Sequence, residues 1–106
     1  MTPKEKSILE SLRQKLLEAN IPLLDLILFG SRARGDAGPD SDFDVLVIVK
    51  ERNLNMRKTI SDCAWEAGFE SEVVIQSIVR TKTEVEEGPE KYSPLFQTIR
   101  QEGIHV

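Results

Sequence analysis

The sequence predicts an α/β (α+β) fold, a small mixed sheet flanked by helices in the order α-β-α-β-α-β-α-α. Three observations carry this expectation. Apolar runs at Leu23–Phe29, Phe43–Val49 and Val73–Val79 have the length of strands rather than helices. Around them, apolar residues recur at helical spacing, as in Ile8, Leu9, Leu12, Leu16 and Ala19. Turn and cap residues separate the two kinds of segment, and strands alternating with helices read as one α/β domain.

Taken in order, Thr2-Pro3-Lys4-Glu5 is a helix start: Thr2 can cap, Pro3 suits the first helical position and Glu5 can close a capping box. The first helix is expected over residues 3–19, ended by Asn20 and Pro22. Leu23 to Phe29, broken only by Asp25, is a strand covered on both faces. It runs directly into Gly30-Ser31-Arg32-Ala33-Arg34-Gly35 and the polar stretch Asp36 to Ser41. Phe43 to Val49 is a central strand, with Asp42 and Asp44 on the face of Leu46 and Ile48. Met56, Ile60, Cys63, Ala64 and Ala67 give a helix over roughly residues 53–67, with Gly68 as its stop. Val73 to Val79 is the third strand, led in by Glu70-Ser71-Glu72. A short helix from Thr83, boxed by Glu86, should end at Gly88-Pro89. The last begins at Ser93-Pro94 and closes at Gly103.

Composition narrows the function classes. A chain of 106 residues, 40% hydrophobic and 30% charged, is expected to be a single globular domain over residues 1–106, with one modest core. A net charge of −4 argues against an extended nucleic-acid surface. Lys50, Arg52, Arg57 and Lys58 read as a solvated face. Cys63 is expected to be a buried structural thiol, and no Cys and His are spaced for zinc. With no apolar leader and no run of membrane-spanning length, the expected location is cytoplasmic. Trp65, off the Met56–Ile60–Ala64 stripe, is expected to be partly buried against the first helix, with a partner contact as the alternative; Tyr92 is expected to be packed and His105 solvated.

The chemistry lies in two short segments. A strand running into Gly30-Ser31 and a short helix offers backbone N–H groups to an anion; Gly30 admits phosphate oxygens to the backbone and the Ser31 hydroxyl adds a donor. Asp42 and Asp44, two apart on a strand, share a face with α-carbons about 6.5–7 Å apart. Like charges there repel, and a divalent cation offsets that cost. Side by side, the two segments suit magnesium, which prefers a few carboxylates plus phosphate oxygens. Separately, each also reads as a plain turn or a solvated strand start.

Gly30-Ser31-Arg32-Ala33-Arg34-Gly35, Asp36, and then Ser41-Asp42-Phe43-Asp44 resembles the Gly-Ser…Asp-x-Asp signature of the DNA polymerase β-like nucleotidyltransferases, and within them the minimal (MNT) members of bacteria and archaea. The specific match covers about residues 28–49; Ser93-Pro94-Leu95…Arg100-Gln101-Glu102-Gly103 adds a weaker likeness. The resemblance implies that Gly30 and Ser31 hold a nucleoside triphosphate and that Asp42 and Asp44 ligate two Mg²⁺ ions. Arg32 and Arg34 would be near enough to contact phosphate, with a helix-surface role as the alternative. Family enzymes usually carry a third carboxylate inside the third strand, and this strand has none. Glu72 is the expected substitute as metal ligand and catalytic residue, with Glu70 behind it.

The implied activity is magnesium-dependent transfer of a nucleoside monophosphate to a hydroxyl acceptor. So small a domain leaves little surface to orient that acceptor, so a helical HEPN-type partner, as in toxin–antitoxin pairs, is expected to complete the site. Homo-oligomerisation is left open. The competing expectation is a catalytically weak or inactive partner-binding antitoxin on the same fold. A calcium loop through Asp40, Asp42, Asp44 and Glu51 fails because Val45 stands where a sharp turn needs Gly.

Overall fold

The computed structural model describes residues 1–106. Helix α1 spans Pro3–Glu18, and the Thr2–Glu5 capping box forms in both directions. Strand β1 (Leu23–Phe29) leads into the short α2 (Ser31–Arg34), and β2 (Phe43–Val49) into α3 (Met56–Glu70). Then come β3 (Ile75–Thr81), α4 (Lys82–Glu87), a 3₁₀ turn at Pro89–Tyr92, α5 (Pro94–Glu102) and β4 (Ile104–His105).

The four strands form one mixed sheet in the order β3-β2-β1-β4. β1 pairs antiparallel with β2 and β4, while β2 and β3 run parallel, joined across α3. This topology gathers the C-terminal end of β1 and the N-terminal ends of β2 and β3 at one sheet end. Strand alternation gives the two faces different tasks. Leu26, Leu28, Phe43, Val45, Val47 and Val49 pack with Leu9, Leu12 and Leu16 of α1 and Ile60 and Ala64 of α3 in a cluster of 18 buried residues. Burial of each such leucine stabilises the fold by about 1.5–3 kcal/mol. On the opposite face Ile27, Phe29, Leu46 and Ile48 meet Phe96 and Ile99 of α5 in a cluster of 6 buried residues, with Ile78 of β3 and Val85 of α4 packed at its margin.

Several expectations need correction. Helix α3 does not stop at Gly68 but runs two residues further; a β-carbon on Gly68 would lie 2.5 Å from the Val73 carbonyl oxygen, so this glycine serves close packing. The turn is made instead by Glu72, whose φ of 58° is left-handed, while the Val73 N–H bonds back to the Gly68 carbonyl. Val73 and Val74 are spent in that turn, so β3 begins at Ile75. Helix α4 starts at Lys82, because the capping box is Thr81 with Glu84, not Thr83 with Glu86. β1 is fully covered only from Leu26 on, for Leu24 is half exposed. β4 is added to the expected order: two residues are too few to show a period, and the strand exists through pairing with Ile27 and Leu28. His105 is therefore a strand residue, its Nδ1 2.6 Å from Asp25 Oδ2, though its side chain is exposed as expected. Trp65 is not buried: it stacks on Phe69 at 5.0 Å on the outer side of α3, and Tyr92 is likewise exposed. Cys63 is buried as expected, its Sγ against the Lys15 carbonyl, and burial pushes the thiol pKa up. No helix is long and apolar enough to cross a membrane.

Candidate active site

The sheet end where β1 exits and β2 enters brings Gly30, Asp44 and Asp42 together. Phe29 sits opposite Asp44 in the antiparallel register, so Gly30 follows directly beside it. Gly30 has φ 76° and ψ −158°, a conformation reserved for glycine. A β-carbon there would lie 2.5 Å from Asp44 Oδ2. Glycine is thus required twice over, by the backbone and by the carboxylate packed against it. No side chain caps α2, so the first N–H groups after Gly30 stay open at the helix start. Ser31 is its first residue and is partly exposed.

Asp44 is half-buried, and burial raises its pKa; the negative charge of Asp42 raises it further, while Arg34 pulls it down. Arg34 stays in reach only as a field, since its guanidinium is paired with Asp36 at 3.1 Å and Glu102 at 3.3 Å. Two carboxylates on one face, close enough to repel and without a bonded cation of their own, are a donor set that fits a hard divalent ion. The residues present therefore fit Mg²⁺ at this edge.

Two expected site residues are engaged differently from the expectation. Arg32 is no free phosphate ligand: its guanidinium donates to the Ser41 carbonyl at 2.7 and 3.1 Å and to the Pro39 carbonyl at 3.2 Å. It also pairs with Glu5 at 3.3 Å and covers the Phe43 ring at 4.4 Å. Engaged on all these sides, Arg32 fixes the loop that delivers Asp42. Burial alone would raise the pKa of Glu5, yet the Thr2 and Arg32 bonds outweigh it and the net shift is downward.

Glu72 is the second correction. It lies in the left-handed turn after α3, in a groove with Lys4, Trp65 and Phe69, and no third acidic, histidine or cysteine side chain joins the aspartate pair. Glu70 ends α3 and pairs with Lys15 at 2.9 Å. The third strand meets the aspartates with Gln76 instead. In the parallel register Asp44 sits opposite Gln76, and Gln76 Nε2 donates to Asp42 Oδ2 at 2.6 Å. A strand starting at Ile75 with Ile75 and Val79 in the core puts Gln76 on the carboxylate face. Strand parity of this kind is legible in a sequence; a parallel register is not.

A strand–Gly-Ser–helix turn seated against paired carboxylates at a mixed-sheet edge defines the nucleotidyltransferase class of fold. The profile of the family described as nucleotidyltransferase domain matches residues 5–100, and the chain belongs to that family. A protein of Methanocaldococcus jannaschii described as a putative protein adenylyltransferase is 41% identical over 59 residues, which cover 55% of this chain and 60% of that protein. The chain thus matches less than two thirds of that relative's length. Two solved structures share the fold. A toxin–antitoxin with AMP-PNP superposes with TM-score 0.63 at 22% identity, over 91% of this chain and 70% of the other. A mutant of the toxin–antitoxin MntA–HpeT superposes with TM-score 0.62 at 19% identity, over 96% and 70%.

Proposed function

We propose that this chain transfers a nucleoside monophosphate from a magnesium–nucleoside triphosphate to a hydroxyl carried by a partner protein. The observation that carries the reading is the seating of Gly30 against Asp44, with Asp42 on the same edge: one sheet end offers open backbone donors and paired carboxylates together. In the reaction the acceptor hydroxyl gives up its proton to solvent as its oxygen bonds the α-phosphorus, the α–β bridging bond breaks, and pyrophosphate leaves with the electrons of that bond. Bound Mg²⁺ would neutralise the triphosphate and the charge gathering on pyrophosphate. Asp42 and Asp44 are the residues that would hold it. Gly30 lets phosphate approach the backbone, the Ser31 hydroxyl adds a donor, and Arg34 supplies positive charge nearby. Arg32 keeps the loop of Pro39 and Ser41 in place, which matters because orientation supplies much of the rate in such transfers.

The relatives support both halves of this reading. One is described as a putative protein adenylyltransferase, one neighbour is a toxin–antitoxin with AMP-PNP, and the other is a toxin–antitoxin pair. We take adenylate as the first nucleotide to test and a helical HEPN-type protein, in a cytoplasmic toxin–antitoxin pair, as the partner bearing or presenting the acceptor. The 106-residue chain acts in this reading as a single domain. Gln76 at the third-carboxylate position favours one rival, a partner-binding antitoxin with little or no catalysis.

Incubation with each α-labelled nucleoside triphosphate, Mg²⁺ and the candidate partner separates the two. Label on the partner that requires Mg²⁺ and disappears with Asp42→Asn supports transfer. A tight complex that takes up no label from any triphosphate overturns it in favour of the binding module.

A further inference from the structure

Gln76 sits where a third carboxylate would complete the aspartate pair, and it is not a spectator. Its amide donates to Asp42 Oδ2 at 2.6 Å, and the β2–β3 register sets it directly across from Asp44. Asp42 precedes the first residue of β2 and so lacks the full strand ladder to hold its side chain. The anchors on either side of it are the Arg32 bonds to the Ser41 carbonyl and the bond from the Phe43 N–H to the Val74 carbonyl. Neither fixes the carboxylate itself. Gln76 does: with Oδ2 occupied by the amide, Oδ1 is the free oxygen of Asp42.

We propose that Gln76 is a positioning residue that orients Asp42 as a cation ligand and, being neutral, limits the site to two carboxylates. The inference rests on the nucleotidyl-transfer reading above and concerns how tightly that same site takes a divalent cation. An amide and a carboxylate have the same shape but opposite consequences here. Removing the amide frees Asp42 to rotate and weakens cation binding, as loss of a ligand-orienting hydrogen bond generally does by about 10–100-fold. Replacing it by a carboxylate puts an anionic oxygen within reach of any cation on Asp42, which strengthens cation binding while adding repulsion in the cation-free protein.

The test is Mn²⁺ titration followed by electron paramagnetic resonance, alone and with a non-hydrolysable ATP analogue, on wild type, Gln76→Ala and Gln76→Glu. Gln76 is exposed, so both variants should fold, and circular dichroism checks this. The expected result is a change of opposite sign: affinity down about tenfold or more in Gln76→Ala and up in Gln76→Glu. Melting without Mn²⁺ should show Gln76→Glu destabilised, with the loss restored when Mn²⁺ is added. A purely structural role would move both variants the same way, and that result overturns the inference, as does unchanged affinity in both. Wild type that binds neither Mn²⁺ nor its complex with the analogue overturns the nucleotidyl-transfer reading itself, and this inference falls with it.

Discussion

The two faces of the sheet are unequally built. One is closed by α1 and α3 over 18 buried residues; the other has 6, under α5 with Val85 of α4 at its margin. The aspartates lie on the thinly covered face, at the sheet end where β1 exits and β2 enters. Leu46 and Ile48 continue the strand under cover, while Asp44, two residues earlier on the same face, remains only half-buried. The same strand thus anchors the fold on one side and presents charge on the other. Stability and chemistry are separated by strand parity, and a change on one face should leave the other largely intact.

Leu12→Ala gives the largest stability effect expected. It empties a fully buried site on the thick face and should cost about 2–5 kcal/mol by chemical denaturation. The folded fraction should still bind magnesium–triphosphate with unchanged affinity, and a large affinity loss would break the separation of faces. Arg32→Met crosses between the faces. It leaves the Glu5 carboxylate without its partner and the Pro39 and Ser41 carbonyls without a donor, at a cost of about 2 kcal/mol. Affinity should fall with it although the Arg32 donors are spent on Ser41, Pro39 and Glu5, and Arg32→Lys should rescue neither, because an ammonium cannot span these acceptors as a guanidinium fork does.

Gly30→Ala should cost about 1–3 kcal/mol from backbone strain. It should weaken nucleotide binding more severely, because its β-carbon displaces the Asp44 carboxylate. If calorimetry finds nucleotide binding unimpaired, Asp44 is not a ligand.

Asp44→Asn gives the smallest stability effect and the opposite sign. The raised pKa of Asp44 means the folded state holds its proton more tightly than the unfolded chain, so its ionisation costs stability as pH rises through that window. The variant should melt slightly higher than wild type at neutral pH in the absence of metal, by about 2 °C. The difference should vanish below the ordinary carboxylate range. Glu5 runs the other way: its lowered pKa contributes stability above the ordinary carboxylate value that is lost as pH falls through the lowered one. A Glu5→Gln variant should therefore be destabilised where Asp44→Asn is not.

Local sequence patterns account for much of this molecule. The bounds of β1 and β2, the Thr2 and Ser93 caps and the gathering of Gly30 with Asp42 and Asp44 follow from such patterns, which tertiary contacts do not override. The features that escape them have a common cause. β4 is defined by its partner strand, and the start of β3 by a left-handed Glu72 that no propensity announces. Arg32 reads as a phosphate ligand because proximity in sequence says nothing of where a guanidinium's donors are already spent. Glu72 reads as the third carboxylate because the register between parallel strands far apart in the chain cannot be read from either; that register selects Gln76.

The most direct measurement is calorimetric titration of a non-hydrolysable ATP analogue into wild type and the Asp42→Asn, Asp44→Asn double variant, with and without Mg²⁺. Wild type should bind only when Mg²⁺ is present, and the folded double variant should lose at least about 100-fold in affinity, more than loss of an orienting neighbour would give. Equal affinity in the two proteins, or binding indifferent to Mg²⁺, would contradict the assignment of this sheet end as a metal–triphosphate site.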